Sequence, residues 1–320
     1  MFISFIRRPP TSSRKLFITT MATRKLRIGI IPEHFSTPLH FASKHFALNA
    51  DLINEPLGTG ALTARLKLPA DSPEALDIAV GLTEGFVSDL GKNKLAGKQS
   101  GYGLVGTYVE SPLCWAIVTG AGRQDVKGLD GLKGRKVGVS RLLSGSHVMS
   151  FVLADQHDWL DSTGEGNPPF DAQIIGDFAA LRAAVNDGRA DMFMWEHFTT
   201  KHYWDNGELK RLGEIYTPWP SWMIAARETV DEGALAEVFQ KVNDGVRYYQ
   251  QDTEDAIDHI TSTMKYSRED AQAWMKTVRF AVDVRGVASS VVDKTVEILR
   301  KAGVLTEAAG GSKHMITLKR

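Results

Sequence analysis

Short apolar runs alternate with helical patterns along most of the chain. The first run, Leu26 to Ile31, stops at Pro32, and a helical spacing of Leu39, Ala42 and Phe46 follows it. The same order of run and helical pattern recurs twice before residue 91. Because parallel strands require crossover connections, repeated strand–helix units predict a doubly wound, mainly parallel α/β sheet.

A second series of the same kind begins at Lys136 and continues to Trp195. Proline interrupts the pattern on both sides of this series, at Pro112 directly after Ser111 and again at Pro220. One more apolar run, Trp222 to Ala226, follows, and the remainder has helical periodicity. We therefore predict a hinged protein of two lobes, in which the chain leaves the first lobe, builds the second and returns.

Composition indicates an ordinary soluble globular protein. Of 320 residues, 43% are hydrophobic and 24% are charged, and 38 basic residues balance 38 acidic ones. Without a net positive charge or a local basic patch we expect no nucleic-acid partner. No run approaches the ~20 apolar residues that cross a bilayer, so we expect no integral membrane segment.

Cysteine usage narrows the chemistry further. The only cysteine, Cys114, cannot form an intramolecular disulfide and cannot by itself build a zinc or iron–sulfur site. It lies in the apolar sequence LCWAIV, which favours a buried, inert thiol over a nucleophile.

The N-terminal segment differs from the rest of the chain. Residues 1–32 contain no acidic residue but seven basic ones, scattered among serine, threonine and apolar residues. This composition is similar to that of a mitochondrial transit peptide, while translation starting at Met21 is the alternative. In either case residues 1–23 are a leader outside the fold, and we expect a cytoplasmic or mitochondrial protein that is not secreted.

Candidate site residues lie where strands end and helices begin, since ligands in open α/β sheets bind beyond the carboxyl ends of the strands. His34 follows the first strand, Thr59 and Gly60 the second, and Glu84 the third. Ser111 and Trp222 lie at the two crossings. Each also has a purely structural interpretation, as a turn, a cap or interdomain packing.

The strongest candidate for holding an anion is the sequence SRLLSGSH, from Ser140 to His147. Hydroxyls of Ser144 and Ser146, the backbone at Gly145 and the positive end of a helix dipole suit a carboxylate, sulfonate or phosphate, and Arg141 adds charge pairing. A helix merely capped by serine is the alternative.

A second candidate follows the last strand of the second series. Trp195 is suited to stack on a flat ring, and Glu196 to accept hydrogen bonds from an amino or hydroxyl group. Interdomain packing for Trp195 and a first-turn helix charge for Glu196 are the alternatives.

Catalytic signatures are missing from the sequence. It contains no Walker sequence, no G-x-S-x-G elbow and no H-E-x-x-H. The sequence GYGLVG matches a dinucleotide pattern but continues into a strand rather than opening a helix. We therefore predict no catalytic residue, no cofactor and no metal.

Taken in order, several segments resemble the type 2 periplasmic-binding-protein-like family. They are LRIGIIPEH, GTGALTARL, ALDIAVGLTEGFVSDL, LKGRKVGVSRLLSGSHVM and FAALRAAVNDGRADMFMWEHF. The resemblance covers about Leu26 to Arg227 and is strongest to nitrate, sulfonate and taurine binders, thiamine-precursor binders and an intracellular fungal group. It implies lobe one from residues 24–110 and 222–320, lobe two from 111–221, and a ligand in the cleft.

The function implied by this resemblance is binding without chemistry. We expect the lobes to close on a small polar, anionic or heteroaromatic molecule, either thiamine-precursor-like or sulfonate-like. Two alternatives stay open: an enzyme of the pyrimidine-precursor synthase type, and a ligand-sensing interaction protein. The fungal synthases of this fold carry a cysteine-rich iron motif, which a chain with one cysteine cannot form.

Overall fold

A computed structural model of the chain describes residues 24–142, 144–160 and 168–320, so the predicted leader lies outside the described residues. The strands are β1 Leu26–Ile30, β2 Ala50–Asn54, β3 Ile78–Leu82, β4 Tyr102–Val109, β5 Cys114–Gly120, β6 Lys136–Val139, β7 Asp171–Ile174, β8 Met192–Glu196, β9 Leu209–Tyr216 and β10 Trp222–Arg227. The helices are α1 Thr37–Phe46, α2 Thr59–Leu66, α3 Thr83–Leu95, α4 Gly145–Gln156, α5 Phe178–Asp187, α6 His197–Asp205, α7 Glu232–Gln251, α8 Thr253–Thr263, α9 Arg268–Met275, α10 Ser289–Lys301 and α11 Ser312–Met315. Three short 3-10 turns cover His34–Ser36, Leu129–Gly131 and Glu307–Ala309.

The strands form two five-stranded sheets, which we call the cores of lobe one and lobe two. The first has the order β2-β1-β3-β10-β4 and the second β7-β6-β8-β5-β9. In the first, β2, β1 and β3 are parallel while β10 runs antiparallel to both neighbours. In the second, β5 has the same antiparallel place between β8 and β9. The predicted two-lobed α/β fold is confirmed, with sheets that are mixed because one strand in each runs against the βα units.

The sequence pattern did not predict strand β9 of the second sheet. β9 has the sequence LKRLGEIY, lies at the edge of its sheet and has only two buried residues, Leu209 and Ile215. Edge strands commonly carry charged side chains that discourage pairing with other chains, so their hydrophobic signal is weak.

The C-terminal helices cover lobe one. Helix α7 packs along α1, and α10 packs against α3. Gly245 lets α7 approach closely, since a Cβ added there would lie 2.1 Å from the backbone oxygen of Pro38. This packing fixes the start of α1, which directly follows the loop after β1. None of the described helices is long and apolar enough to cross a membrane.

Candidate functional site

A cleft between the two lobes gathers the loops that follow the parallel strands. Its free space is ≈ 500 Å³, part of which is open to solvent. Nine of the predicted site residues line it: Thr59, Ser140, Arg141, Ser144, Gly145, Ser146, Trp195, Glu196 and Trp222. The other lining residues are Ile31, Glu33, Pro56, Leu57, Gly58, Leu82, Leu113 and Trp115. His34, Gly60, Glu84 and Ser111 lie outside this lining.

The start of α4 forms one wall of the cleft. Ser144 is the N-cap, and its Oγ accepts a hydrogen bond from the backbone N–H of His147 at 3.3 Å. The hydroxyls of Ser144 and Ser146 are 3.0 Å apart and both side chains are buried. The first N–H groups of a helix have no partner within the helix, so this end provides donors and a positive dipole.

Gly145 is closely packed against side chains of both lobes. A Cβ added there would lie 2.8 Å from Leu82 Cδ1 and 2.9 Å from the Trp115 ring. A larger residue would push the start of α4 away from both neighbours. Packing alone therefore requires glycine at position 145.

Two tryptophans in the cleft bury polar atoms that have no partner. Trp115 on β5 is 4% exposed and Trp222 on β10 is 2% exposed. Within the described part of the chain, neither indole Nε1–H donates a hydrogen bond. A buried donor without an acceptor costs about 1–3 kcal/mol. These two groups are suited to a ligand acceptor, and with the start of α4 they give the cleft a donor-rich side.

Acidic side chains occupy another part of the cleft. Glu33 in the loop after β1 accepts a hydrogen bond from Trp195 Nε1 at 3.2 Å, which joins the two lobes. Burial, with a contribution from the charge of Glu196, raises the pKa of Glu33 to about 8. Trp195 in turn packs on Phe178, with ring centroids 5.1 Å apart. The two ring planes are inclined at 33°, so Trp195 already packs on a protein side chain.

Glu196 has two structural partners as well as its place in the cleft. Its side chain caps α6 by accepting from the backbone N–H of Thr199 at 2.6 Å, and its Oε1 lies 3.5 Å from His34 Nε2. Burial alone would raise the pKa of Glu196, but His34 and the N–H groups of Thr199 and Phe198 lower it below its usual value. The carboxylate is thus held charged in a buried position.

His34 lies behind the cleft rather than in it. It is fully buried, and its Nδ1 pairs with the Tyr266 hydroxyl at 2.5 Å. Its ring packs edge-on against Trp274 with centroids 4.2 Å apart. We assign it a positioning role toward Glu196. The sequence placed His34 among the candidate ligand contacts and did not predict this burial, because Tyr266 and Glu196 are more than 150 positions away.

Glu84 at the start of α3 is completely buried beside the α4 wall. Its Oε2 accepts from Trp219 Nε1 at 3.0 Å, whereas Oε1 has no hydrogen-bond partner among the described residues. A Cβ on Gly145 would lie 3.1 Å from Oε1, so Glu84 is directly behind the cleft lining. Burial raises the pKa of Glu84 to about 7, and the Trp219 hydrogen bond only partly offsets this.

We predict that Glu84 makes the folded protein less stable as the pH rises from about 4.5 to about 7. The folded state holds a proton on Glu84 that the unfolded chain has lost, so stability falls across this window and levels off above it. The loss is of order 3 kcal/mol at most, at 1.36 kcal/mol per pKa unit. Urea unfolding from pH 4.5 to 8 should give a flatter profile for Glu84→Gln, with the exposed Glu228→Gln as control. Parallel profiles for the wild type and Glu84→Gln would contradict the assignment.

Arg141 and Gly60 act together at the cleft entrance. Arg141 Nη1 donates to the backbone oxygen of Leu57 at 2.7 Å, a contact from lobe two to lobe one. A Cβ on Gly60 would lie 2.0 Å from Arg141 Nη2. Gly60 therefore provides the space for the guanidinium and does not itself line the cleft.

Two further predicted residues have mainly structural contacts. Thr59 Oγ1 accepts from the backbone N–H of Leu82 at 2.9 Å, which fixes the start of α2 against β3. Ser111 at the first crossing accepts from Arg279 N–H through Oγ at 3.0 Å, and its carbonyl accepts from the Ser221 hydroxyl at 2.7 Å. The two crossings are therefore hydrogen-bonded to each other.

Of the eight lining residues that the sequence did not predict, Glu33 and Trp115 bring polar side-chain groups to the cleft. Glu33 stands next to His34 in the loop after β1 and could have been chosen by its place alone. Trp115 lies inside an apolar strand, and only its pairing with Glu196 across β5 and β8 brings it to the cleft. No local pattern in the sequence predicts that register.

Comparison with known proteins identifies the family. A family described as Ca3427-like PBP matches residues 115–215. The solved structure of the Candida albicans CA3427 gene product, described as defining a family with the generic periplasmic binding protein fold, is 38% identical. That match covers 93% of this chain and 98% of the Candida chain, with a TM-score of 0.78. The chain belongs to the CA3427 family.

More distant structures share the fold of the CA3427 family. The alkanesulfonate-binding protein SsuA from Xanthomonas axonopodis pv. citri, bound to MOPS, is 14% identical over 90% of this chain and 96% of its own, with a TM-score of 0.69. The aliphatic sulphonate binding protein SsuA from Escherichia coli is 15% identical over 92% of each chain, with a TM-score of 0.67. No curated protein matches the chain. The shared fold supports ligand binding as the general activity of this protein.

Proposed function

We propose that this protein closes its lobes on a small molecule that carries an oxyanion and at least one hydrogen-bond donor, and releases it unchanged. One observation carries the proposal: Trp115 and Trp222, whose buried indole N–H groups have no partner in the described structure, line the same cleft as the start of α4. An oxyanion accepts hydrogen bonds from all three. Hydrogen bonds to a charged group are worth about 1.5–3 kcal/mol each.

The other end of the ligand is inferred from the carboxylates. Glu33 and Glu196 line the cleft. Glu196 is held ionised and offers acceptor oxygens to an amino group or an aminopyrimidine, while Glu33, with its pKa raised to about 8, becomes a full acceptor when a cationic group beside it favours its ionised form. An aminosulfonate such as taurine and a thiamine-precursor-like aminopyrimidine phosphate both combine an oxyanion with such a donor. The shared fold with the two sulfonate-binding SsuA proteins supports the sulfonate of these two ligands.

Calorimetric titration with matched probes tests the ligand class. Taurine carries both groups, ethanesulfonate only the oxyanion, and ethylamine only the donor. We expect taurine to bind at least about 10-fold more tightly than either single-group probe, the ratio for one lost charged hydrogen bond. Ethylamine binding as tightly as taurine would contradict the role of the oxyanion.

We also propose that binding requires both lobes. Lobe one comprises residues 24–110 and 222–320, and lobe two comprises residues 111–221. The lining divides between Thr59 and Trp222 on one side and Ser146 and Trp195 on the other. A ligand that contacts both sides favours the closed form through its extra contacts. We predict a smaller radius of gyration in small-angle scattering at saturating taurine. An unchanged radius at saturation would contradict closure.

The composition of the basic N-terminal segment is the basis for proposing a cellular compartment. We propose a cytoplasmic or mitochondrial protein, on the composition of residues 1–32. Fusing residues 1–30 to a fluorescent reporter separates the two compartments. A uniformly cytosolic reporter would remove the mitochondrial alternative.

A further inference from the structure

Three side chains of different chemistry converge at the edge of the lobe-two sheet, outside the cleft lining. They are Cys114 at the start of β5, His197 at the start of α6 and Glu214 on β9. Cys114 Sγ is 3.7 Å from His197 Nδ1, and that nitrogen is 3.4 Å from Glu214 Oε2. All three potential ligand atoms lie within 4.8 Å of one another.

Strand register brings these residues together. Cys114 pairs with Tyr216 across β5 and β9, and Glu214 is two residues before Tyr216, so Cys114 and Glu214 point to the same face. Trp115 pairs with Glu196 across β5 and β8, which places His197 beside Cys114. Cys114 is half-buried rather than fully buried, so an ion from solvent can reach it.

The distances match the edges of a metal tetrahedron. With bonds of about 2.3 Å to sulfur, about 2.05 Å to nitrogen and about 2.1 Å to oxygen, tetrahedral zinc places sulfur and nitrogen about 3.6 Å apart and nitrogen and oxygen about 3.4 Å apart. The two distances here are 3.7 and 3.4 Å. Two of the three edges between ligand atoms therefore match a tetrahedral site, and the third, between the sulfur and a carboxylate oxygen, is no longer than 4.8 Å.

We propose that Cys114, His197 and Glu214 bind a divalent cation of the zinc class. Thiolate and imidazole select this class, whereas Mg²⁺ and Ca²⁺ require oxygen ligands. Three protein ligands leave a fourth position for water or an external donor. Cys114 and His197 also line a second cavity with ≈ 700 Å³ of free space, part of it open to solvent, from which that donor enters.

Two neighbouring groups oppose the ion and limit its affinity. Arg211 Nη2 pairs with Glu214 Oε2 at 2.5 Å, and the Tyr216 hydroxyl donates to Glu214 Oε1 at 3.1 Å. The Arg211 side chain is 41% exposed, so it can turn into solvent when the cation takes its place. Binding also converts the Cys114 thiol to a thiolate, and the released proton goes to the buffer.

Cobalt titration of the untagged full chain under reducing conditions tests the site. Co²⁺ takes the place of Zn²⁺ and reports its ligands, through a sulfur-to-cobalt charge-transfer band in the near ultraviolet and visible bands typical of four-coordination. We expect one Co²⁺ per chain, displaced by one Zn²⁺. Cys114→Ser should abolish the charge-transfer band, and His197→Gln and Glu214→Gln should weaken binding at least 10-fold. His202→Gln is the matched control, because His202 is exposed on the same helix.

Unfolding midpoints measured without metal establish that each variant is folded. The proposal is overturned if the wild type shows no charge-transfer band at millimolar Co²⁺. It is equally overturned if Cys114→Ser keeps the band, or if His202→Gln weakens binding as much as His197→Gln does. The titration uses no cleft ligand, so its outcome is independent of the proposed function.

Discussion

Replacing Ser146 with alanine or Trp222 with phenylalanine is expected to weaken taurine binding about 10- to 150-fold. Each change removes one donor from the proposed oxyanion contact, and a hydrogen bond to a charged group is worth about 1.5–3 kcal/mol. Both residues line the cleft and both are at most 2% exposed, so water cannot replace the lost donor without entering the site. Calorimetric titration of each variant measures the loss.

Two matched variants separate binding from folding. Ser150 is a buried serine one turn further along α4, and its Oγ donates to the His147 carbonyl at 2.6 Å without lining the cleft. Trp204 is a partly buried tryptophan of α6. It packs against a cluster of buried hydrophobic residues in lobe two that includes Val118, Leu181 and Phe193. Ser150→Ala and Trp204→Phe should leave affinity within about 2-fold. If these controls lose as much affinity as the cleft variants, the cleft residues act through stability and the assigned site is wrong.

Replacing Glu196 with alanine is expected to destabilise the protein by about 2–4 kcal/mol. The change removes the acceptor that caps α6, a loss of about 1 kcal/mol. It also leaves the fully buried His34 ring without the carboxylate oxygen 3.5 Å away, and a buried polar group that loses its partner costs about 1–3 kcal/mol. Urea unfolding at pH 7 measures the difference in free energy.

Asp177 supplies the matched control for this prediction. It caps α5 in the same lobe by accepting from the backbone N–H of Ala180 at 2.8 Å, and that hydrogen bond is exposed. Asp177→Ala should therefore lose only the capping contribution, about 1 kcal/mol. Equal losses for Asp177→Ala and Glu196→Ala would mean that the His34 contact contributes nothing to stability.

The fold could be predicted from the sequence because its βα units are local. The run Leu26 to Ile31 and the helical spacing after it lie within 25 residues of each other, and each is readable from periodicity. Prolines at 112 and 220 marked the two places where the chain crosses between sheets. The edge strand β9 was missed because its alternating pattern is interrupted by Lys210, Arg211 and Glu214.

The site could be predicted only where it follows the ends of strands. Ser144 and Ser146 stand at the start of a helix after β6, which is a local signal, and the structure places both in the cleft. Trp115 enters through antiparallel pairing with β8, and His34 meets Glu196 across 162 positions of sequence. Cys114 likewise meets His197 only through sheet register. Such contacts depend on tertiary packing, which periodicity does not encode.

Native mass spectrometry tests whether the cleft holds an oxyanion on the indole N–H groups of Trp115 and Trp222. The wild type and the Trp115→Phe/Trp222→Phe double variant are each incubated with the same panel of small sulfonates, phosphates and carboxylates, taurine among them. We predict a one-to-one adduct of at least one oxyanion on the wild type, absent or strongly reduced on a double variant that is still folded. No adduct on the wild type with any member of the panel, or an equal adduct on both proteins, would contradict it.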